Sequence, residues 1–169
     1  MIAFTGHRRL YRPDVDWLTR VLAARVVSYF QAGERDVTCG MAMGSDLLWA
    51  ELALAMGMNV HCHIPFWGWD AKFGSEDKAT VLRILARAAS VTPHLDRTFR
   101  TPRSEIISSF HVRNRAMVDA STELVAAWNG GRRGGTAETV RYARGKRMGG
   151  WQYNPQTLLI TPLEEVRLW

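Results

Sequence analysis

Cysteine is nearly absent from this sequence. Cys39 and Cys62 lie far apart with no CxxC spacing, which argues against a disulfide framework and a zinc site and fits a reducing compartment. No stretch approaches the ~20 consecutive apolar residues of a membrane-crossing helix. The opening MIAFTGHRRL lacks a basic region leading into a long apolar segment, so a signal peptide is not expected. A soluble, cytoplasmic protein with no membrane partner is the expectation. Neither GxGxxG nor a P-loop occurs, because no Lys-Ser or Lys-Thr follows the glycines. There is no internal repeat, no low-complexity tract and no linker long enough to divide the chain.

What is present suits one domain spanning residues 1–169, about 47% apolar and able to bury a core without covalent staples. Lys and Arg outnumber Asp and Glu by 22 to 16, a formal charge of +6 that favours anionic partners such as nucleotides, nucleic acid or acidic proteins. Lysine is scarce, and arginine's planar fork suits phosphate better than an ammonium does.

Short apolar runs alternate with helical patterns. MIAFTG, RDVTCG, MNVHCHIPF, ELVAAWNG and QTLLIT read as strands. RPDVDWLTRVLAARVVSYFQAG, with Pro13 in its first turn and Gly33 as its stop, reads as a helix. So do SDLLWAELALAMG, with Ser45 as its N-cap, SEDKATVLRILARAAS, a stretch from about Glu105, and GTAETVRYARG. Residues 90–104 read as irregular, and the Pro/Arg-rich part of them as a loop or lid. The alternation predicts right-handed crossovers and a mostly parallel sheet covered on both faces, an α/β Rossmann-like three-layer sandwich.

Ligands of such sheets bind beyond the carboxyl ends of the strands. Four segments reach that edge. In TGHRR, the Arg8 guanidinium suits a phosphate and His7 can donate, accept or titrate, with Thr5 and Gly6 beside them. In GMAMGSD, Gly40 and Gly44 admit close backbone approach around Met41 and Ala42, and the following helix offers free N–H groups to an anion. Asp46 there either interacts with its own helix terminus or accepts from a ribose hydroxyl. PFWGWDAKF sets Pro65, Phe66 and Trp69 as a stacking wall for a base or as core filling, and Trp128 is open to the same two readings. GGRRGGTAET repeats the glycine–helix arrangement with Gly134, Gly135 and Thr136, whose hydroxyl either caps the helix or donates to a phosphate, while Arg132 and Arg133 clamp an anion or face water. Arg113 and Asn114 either position an anionic or sugar group or fix the preceding loop.

Taken in order over roughly residues 4–143, TGHR, GMAMGSD, PF, RN..MVD and GGT followed by YA resemble the YpsA-like branch of the SLOG superfamily. That Rossmann-like group includes the DprA/Smf proteins and the LOG cytokinin-activating enzymes. The resemblance implies a nucleotide or nucleotide-derived ligand at the glycine-rich edge and self-association into a homo-oligomer. Some relatives sense NAD-derived signals such as cyclic ADP-ribose isomers. LOG enzymes hydrolyse the N-glycosidic bond of nucleoside monophosphates through a PGGxGTxxE signature. Here the proline is missing, and Glu138 stands two residues after Thr136 where the signature wants three.

Binding of a nucleotide or an NAD- or ADP-ribose-derived molecule, sensed or sequestered, is therefore the first expectation. It requires no metal and no cofactor. N-glycosidic hydrolysis, with Asp46, Glu51 or Glu138 as the carboxylate, is a second. Single-stranded DNA binding in the DprA manner is a third, although no basic stripe with interleaved aromatics stands out in the sequence.

Overall fold

The computed structural model describes residues 1–10 and 12–166. Its elements run β1 (Ile2–Gly6), α1 (Arg12–Gln31), β2 (Asp36–Cys39), α2 (Ser45–Ala55), β3 (Asn59–Ile64), α3 (Ser75–Leu85), β4 (Ser90–Pro93), α4 (Arg103–Asp119), β5 (Glu123–Ala127), α5 (Gly135–Gly145), β6 (Gly149–Asn154) and β7 (Leu159–Pro162), followed by a 3-10 turn at Leu163–Glu165. One seven-stranded sheet has the order β4-β3-β2-β1-β5-β6-β7. All its pairings are parallel except β6 with β7.

Each β1 residue is buried, as expected for a central parallel strand covered on both faces. Ile2 and Phe4 point to a core shared with α1, α2 and α3, where Leu18, Leu22, Val26 and Tyr29 form the buried stripe of α1. The spacing of that stripe is the helical one. Phe4 stacks on Trp49 of α2 at 4.9 Å between centroids. Ala3 points the other way, to a core with Leu124 and Ala126 of β5 and Ala137, Val140 and Ala143 of α5. The result is the three-layer α/β sandwich read from the sequence.

Several local readings need correction. Ser90–Pro93 lies in the segment read as irregular, yet it forms the edge strand β4; only Val91 is apolar, and a proline is tolerated where no further strand needs its N–H. GGWQYN, absent from the strands read from the sequence, pairs with β5 as β6. The last strand is Leu159–Pro162 rather than QTLLIT, and it runs antiparallel at the sheet edge. The N-cap of α2 is Gly44, not Ser45, whose hydroxyl instead donates to the His7 carbonyl at 2.6 Å.

The chain builds β1 to β4 outward in one direction and then crosses back to place β5 on the other side of β1. The sheet therefore reverses its order between β1 and β5, and a crevice opens there at the carboxyl ends. Among the described residues, no helix is long and apolar enough to cross a membrane.

Candidate functional site

A cleft of about 590 Å³ lies at this reversal. Thr5, Gly6, His7 and Arg8 line it from the end of β1, Ala42 and Asp46 from the β2–α2 turn, Arg113 and Asn114 from α4, and Gly134, Gly135 and Thr136 from the start of α5. Residues predicted from separate segments thus share one cavity. Ile107, Phe110, His111 and Met117 of α4 line it too, and sequence reasoning missed them. Their helical spacing was legible; which way that face points was not, because α4 lacks a continuous apolar stripe and its middle is polar.

The backbone of the turns is tightly fitted. At Gly44, φ is 77°, and a Cβ would sit 2.6 Å from the Arg8 carbonyl oxygen and 2.8 Å from that of His7. Only glycine meets both demands without strain. A Cβ at Gly40 would run into the Arg113 guanidinium, so this glycine makes the room in which Arg113 is buried. Gly40 and Met41 therefore support the site from behind rather than lining it.

Arg113 is 4% exposed, and its Nε has no hydrogen-bond partner. Burial lowers its pKa, opposed by the negative charge of Asp46 and assisted by the positive charge of Arg8. Asp46 is equally buried and accepts the Ala42 N–H at 3.2 Å. Desolvation pushes its carboxyl up to about 6 against the pull of Arg113, the Ala42 N–H and Arg8. His7 Nε2 accepts the Asn129 N–H at 3.0 Å, which an imidazolium cannot do, and burial moves its pKa down. The floor thus holds a neutral imidazole, a carboxylate that titrates near neutrality and a guanidinium with an unused donor.

Thr136 Oγ1 donates to the Gly6 carbonyl at 2.9 Å, tying α5 to β1, while the α5 N-cap is Gly134. The first N–H groups of α5 are the ordinary unpaired donors of a helix start, with the positive end of its dipole. Asn114 packs against Gly135, where a Cβ would lie 3.4 Å from its Nδ2. Arg133 lines the cleft. The Arg132 carbonyl accepts from Arg141 Nη1 at 2.8 Å.

The aromatic wall differs from the expected one. Trp69 donates its indole N–H to the Met41 carbonyl at 3.1 Å and packs on the core. Phe66 is buried and meets Phe110 edge-on at 5.8 Å, so Phe110 stands between it and the cleft. Trp128 is buried and donates to the Gly131 carbonyl. Pro65 is buried at the end of β3 and does not line the cleft. Of the other carboxylates, Glu51 is outside the cleft and paired with Arg83 at 2.8 Å, while Glu138 Oε2 lies 2.5 Å from His111 Nδ1 without a hydrogen bond. Among the described residues, no group of three or more His, Cys, Asp or Glu side chains is arranged to hold a metal.

Beside the cleft, the loop between β4 and α4 places Arg97 over the Phe66 ring at 4.8 Å and Arg100 over Phe99 at 5.2 Å. Phe99 is 93% exposed and Trp67 60%. Each of these arginines thus lies over an aromatic ring, and two large aromatics are exposed, although the sequence showed no basic stripe with interleaved aromatics.

No protein-family model matches the chain. No curated protein matches it either. Solved structures do. The chain is similar to DNA processing protein A from Helicobacter pylori, described for its single-stranded DNA binding mode, with TM-score 0.66 and 17% identity over 89% of this chain and 63% of that one. It is also similar to DNA processing protein A (DprA) from Streptococcus pneumoniae, with TM-score 0.65 and 18% identity over 89% of this chain and 49% of that one. The chain spans less than two thirds of either neighbour, and what it shares with them is the fold.

Proposed function

We propose that the cleft binds a nucleotide or an NAD- or ADP-ribose-derived small molecule, with its phosphate at the N-terminus of α5. The observation that carries this reading is Arg113: a buried guanidinium with an unpartnered Nε, lining the same cavity as Gly134, Gly135 and Thr136. A buried charge is unfavourable unless it is paired, and a phosphate held between Arg113 and the helix N–H groups supplies that pairing. Arg8 adds a second positive charge. Asp46 offers an acceptor for a ribose hydroxyl, and Phe110 offers a ring face for a base. The DprA-like fold is in keeping with the wider SLOG superfamily, and the five ordered motifs alone suggest its YpsA-like branch. Calorimetric titration of the native protein with AMP, ADP, ADP-ribose and cyclic ADP-ribose tests the reading, and absence of binding to all four would refute it.

A second reading, single-stranded nucleic-acid binding, is favoured by the exposed rings of Trp67 and Phe99, by Arg100 lying over Phe99, and by the function named for the Helicobacter pylori neighbour. Bases stack on exposed aromatics while arginines neutralise phosphates. This reading predicts retardation of a labelled single strand that weakens steeply with salt. N-glycosidic hydrolysis draws less support, because Glu51 is paired with Arg83 and neither Glu51 nor Glu138 lines the cleft.

A further inference from the structure

We propose that the cleft takes up a proton together with its anion, Asp46 being the group that receives it, so that phosphate-bearing ligands are held more tightly as the pH falls. This rests on the reading that a phosphate enters the cleft beside Arg113.

Asp46, in the first turn of α2, and Arg113, on α4, line the same cavity, and each is 4% exposed. Yet they form no ion pair, since no cationic nitrogen of the described residues lies within 4.0 Å of the Asp46 carboxylate. Asp46 Oδ2 accepts the Ala42 N–H at 3.2 Å instead, and the Arg113 Nε has no partner at all. Two opposite buried charges thus face one cavity without satisfying each other in contact.

An incoming anion affects the two in opposite ways. A phosphate oxygen beside the guanidinium compensates Arg113. The same oxygen adds a second negative charge next to a buried carboxylate, and like charges sharing such a site disfavour ionisation of both. A proton on Asp46 removes the conflict. The neutral carboxyl keeps an acceptor oxygen for a ribose hydroxyl and gains an O–H donor.

The groups around Asp46 leave it ready to take that proton. Arg113 from α4, Arg8 after β1 and the Ala42 and Gly6 N–H groups favour its charged form, but desolvation outweighs them and sets the carboxyl at about 6 before any ligand enters. The neighbouring Cys39 thiol of β2 is kept neutral by its own burial. Of the other groups in the cleft able to bind a proton, His7 uses Nε2 to accept the Asn129 N–H, and burial holds its pKa down. His111 is the remaining one, and a variant separates it from Asp46. The sign follows from linkage. Below its ligand-free pKa Asp46 already carries the proton, so the anion enters without uptake; above it, binding draws a proton in and affinity falls as the pH rises.

The test uses ADP-ribose, whose pyrophosphate diester gains no proton near neutrality, whereas the monoester phosphate of AMP itself titrates near about 6. Calorimetry in buffers of different ionisation enthalpy counts the protons taken up per ligand bound. If the anion raises the Asp46 pKa by about one, native protein takes up about half a proton at about pH 6.5, and its affinity falls about 5- to 10-fold from about pH 5.5 to 8. Asp46→Asn takes up none and binds with an affinity that does not change over that range; where thermal melts show it unfolded, Asp46→Ser carries the same expectation. His111→Gln retains the native slope, whatever its absolute affinity. Binding of ADP-ribose to native protein without proton uptake overturns the proposal and leaves the binding reading standing. So does uptake that survives in the folded Asp46 variant or disappears in His111→Gln. Failure to bind ADP-ribose, AMP, ADP or cyclic ADP-ribose at any pH overturns the binding reading and this inference with it.

Discussion

The arginine at position 113 is held where a charge is least comfortable, buried in the wall of the cleft with its Nε unpartnered. Replacing it with methionine keeps most of the volume while removing every donor. If it binds phosphate, Arg113→Met lowers nucleotide affinity by about 10- to 100-fold, the range expected for losing charge-assisted hydrogen bonds worth about 1.5–3 kcal/mol. Lysine does not restore the affinity, because a point charge cannot reproduce the planar fork. Calorimetry checks both. Asp46 gives a pH prediction whose sign is fixed. Its folded pKa, about 6, exceeds the ordinary 3.8, so the stability it contributes is full below about pH 4 and is lost as pH rises through 6. The midpoint of Asp46→Asn should therefore rise relative to native protein between pH 4 and pH 7, as followed by thermal melts. A constant difference across that range would contradict the burial assigned to this carboxylate.

The elements that carry the site are set by turns as much as by helices. Gly44→Ala places a methyl group against two carbonyl oxygens at a φ of 77°, and should lower stability by about 1–3 kcal/mol in urea unfolding. At the β3–β4 edge, His63 stacks on His94 with their ring nitrogens 2.9 Å apart. Burial first, then the charges of His94 and Arg113, pushes His63 down to about 4 from 6.5. Because the folded pKa is depressed, the stability this histidine contributes is present above pH 6.5 and lost as pH falls toward 4. His63→Gln should flatten the acid side of the stability profile in that window. Helices and central strands were legible because their apolar spacing is regular, as in Leu18, Leu22 and Val26, or because the run is unbroken, as in Ile2–Gly6. Edge strands were not: β4 needs apolar contact at little more than Val91, and β6 begins with two glycines whose role appears only once Gly150 is seen pressed against the Leu124 backbone.

For the whole molecule, the reversal of strand order between β1 and β5 decides which loops converge. Three of the four edge segments read from the sequence, those after β1, β2 and β5, meet around one cleft, and the one after β3 does not line it. Of the α4 wall only Arg113 and Asn114 were legible, because α4 approaches from its own crossover and contributes Phe110 and His111 through a helix face that hydrophobic pattern does not mark. The aromatics that were visible, Phe66, Trp69 and Trp128, are taken up by packing and by indole hydrogen bonds. A net charge of +6 supports both the nucleotide and the nucleic-acid readings, and salt separates them. A single strand that neutralises several phosphates loses affinity far more steeply with salt than a ligand carrying one or two. The resemblance to SLOG proteins further leads us to propose self-association, which analytical ultracentrifugation would show as a mass above that of one chain. The most direct test of the central claim is calorimetric titration of ADP-ribose and AMP into native protein and Arg113→Met side by side. Saturable binding at one site per chain, weakened at least about tenfold by the substitution, is the predicted result; no binding to native protein, or equal binding to both, would contradict it.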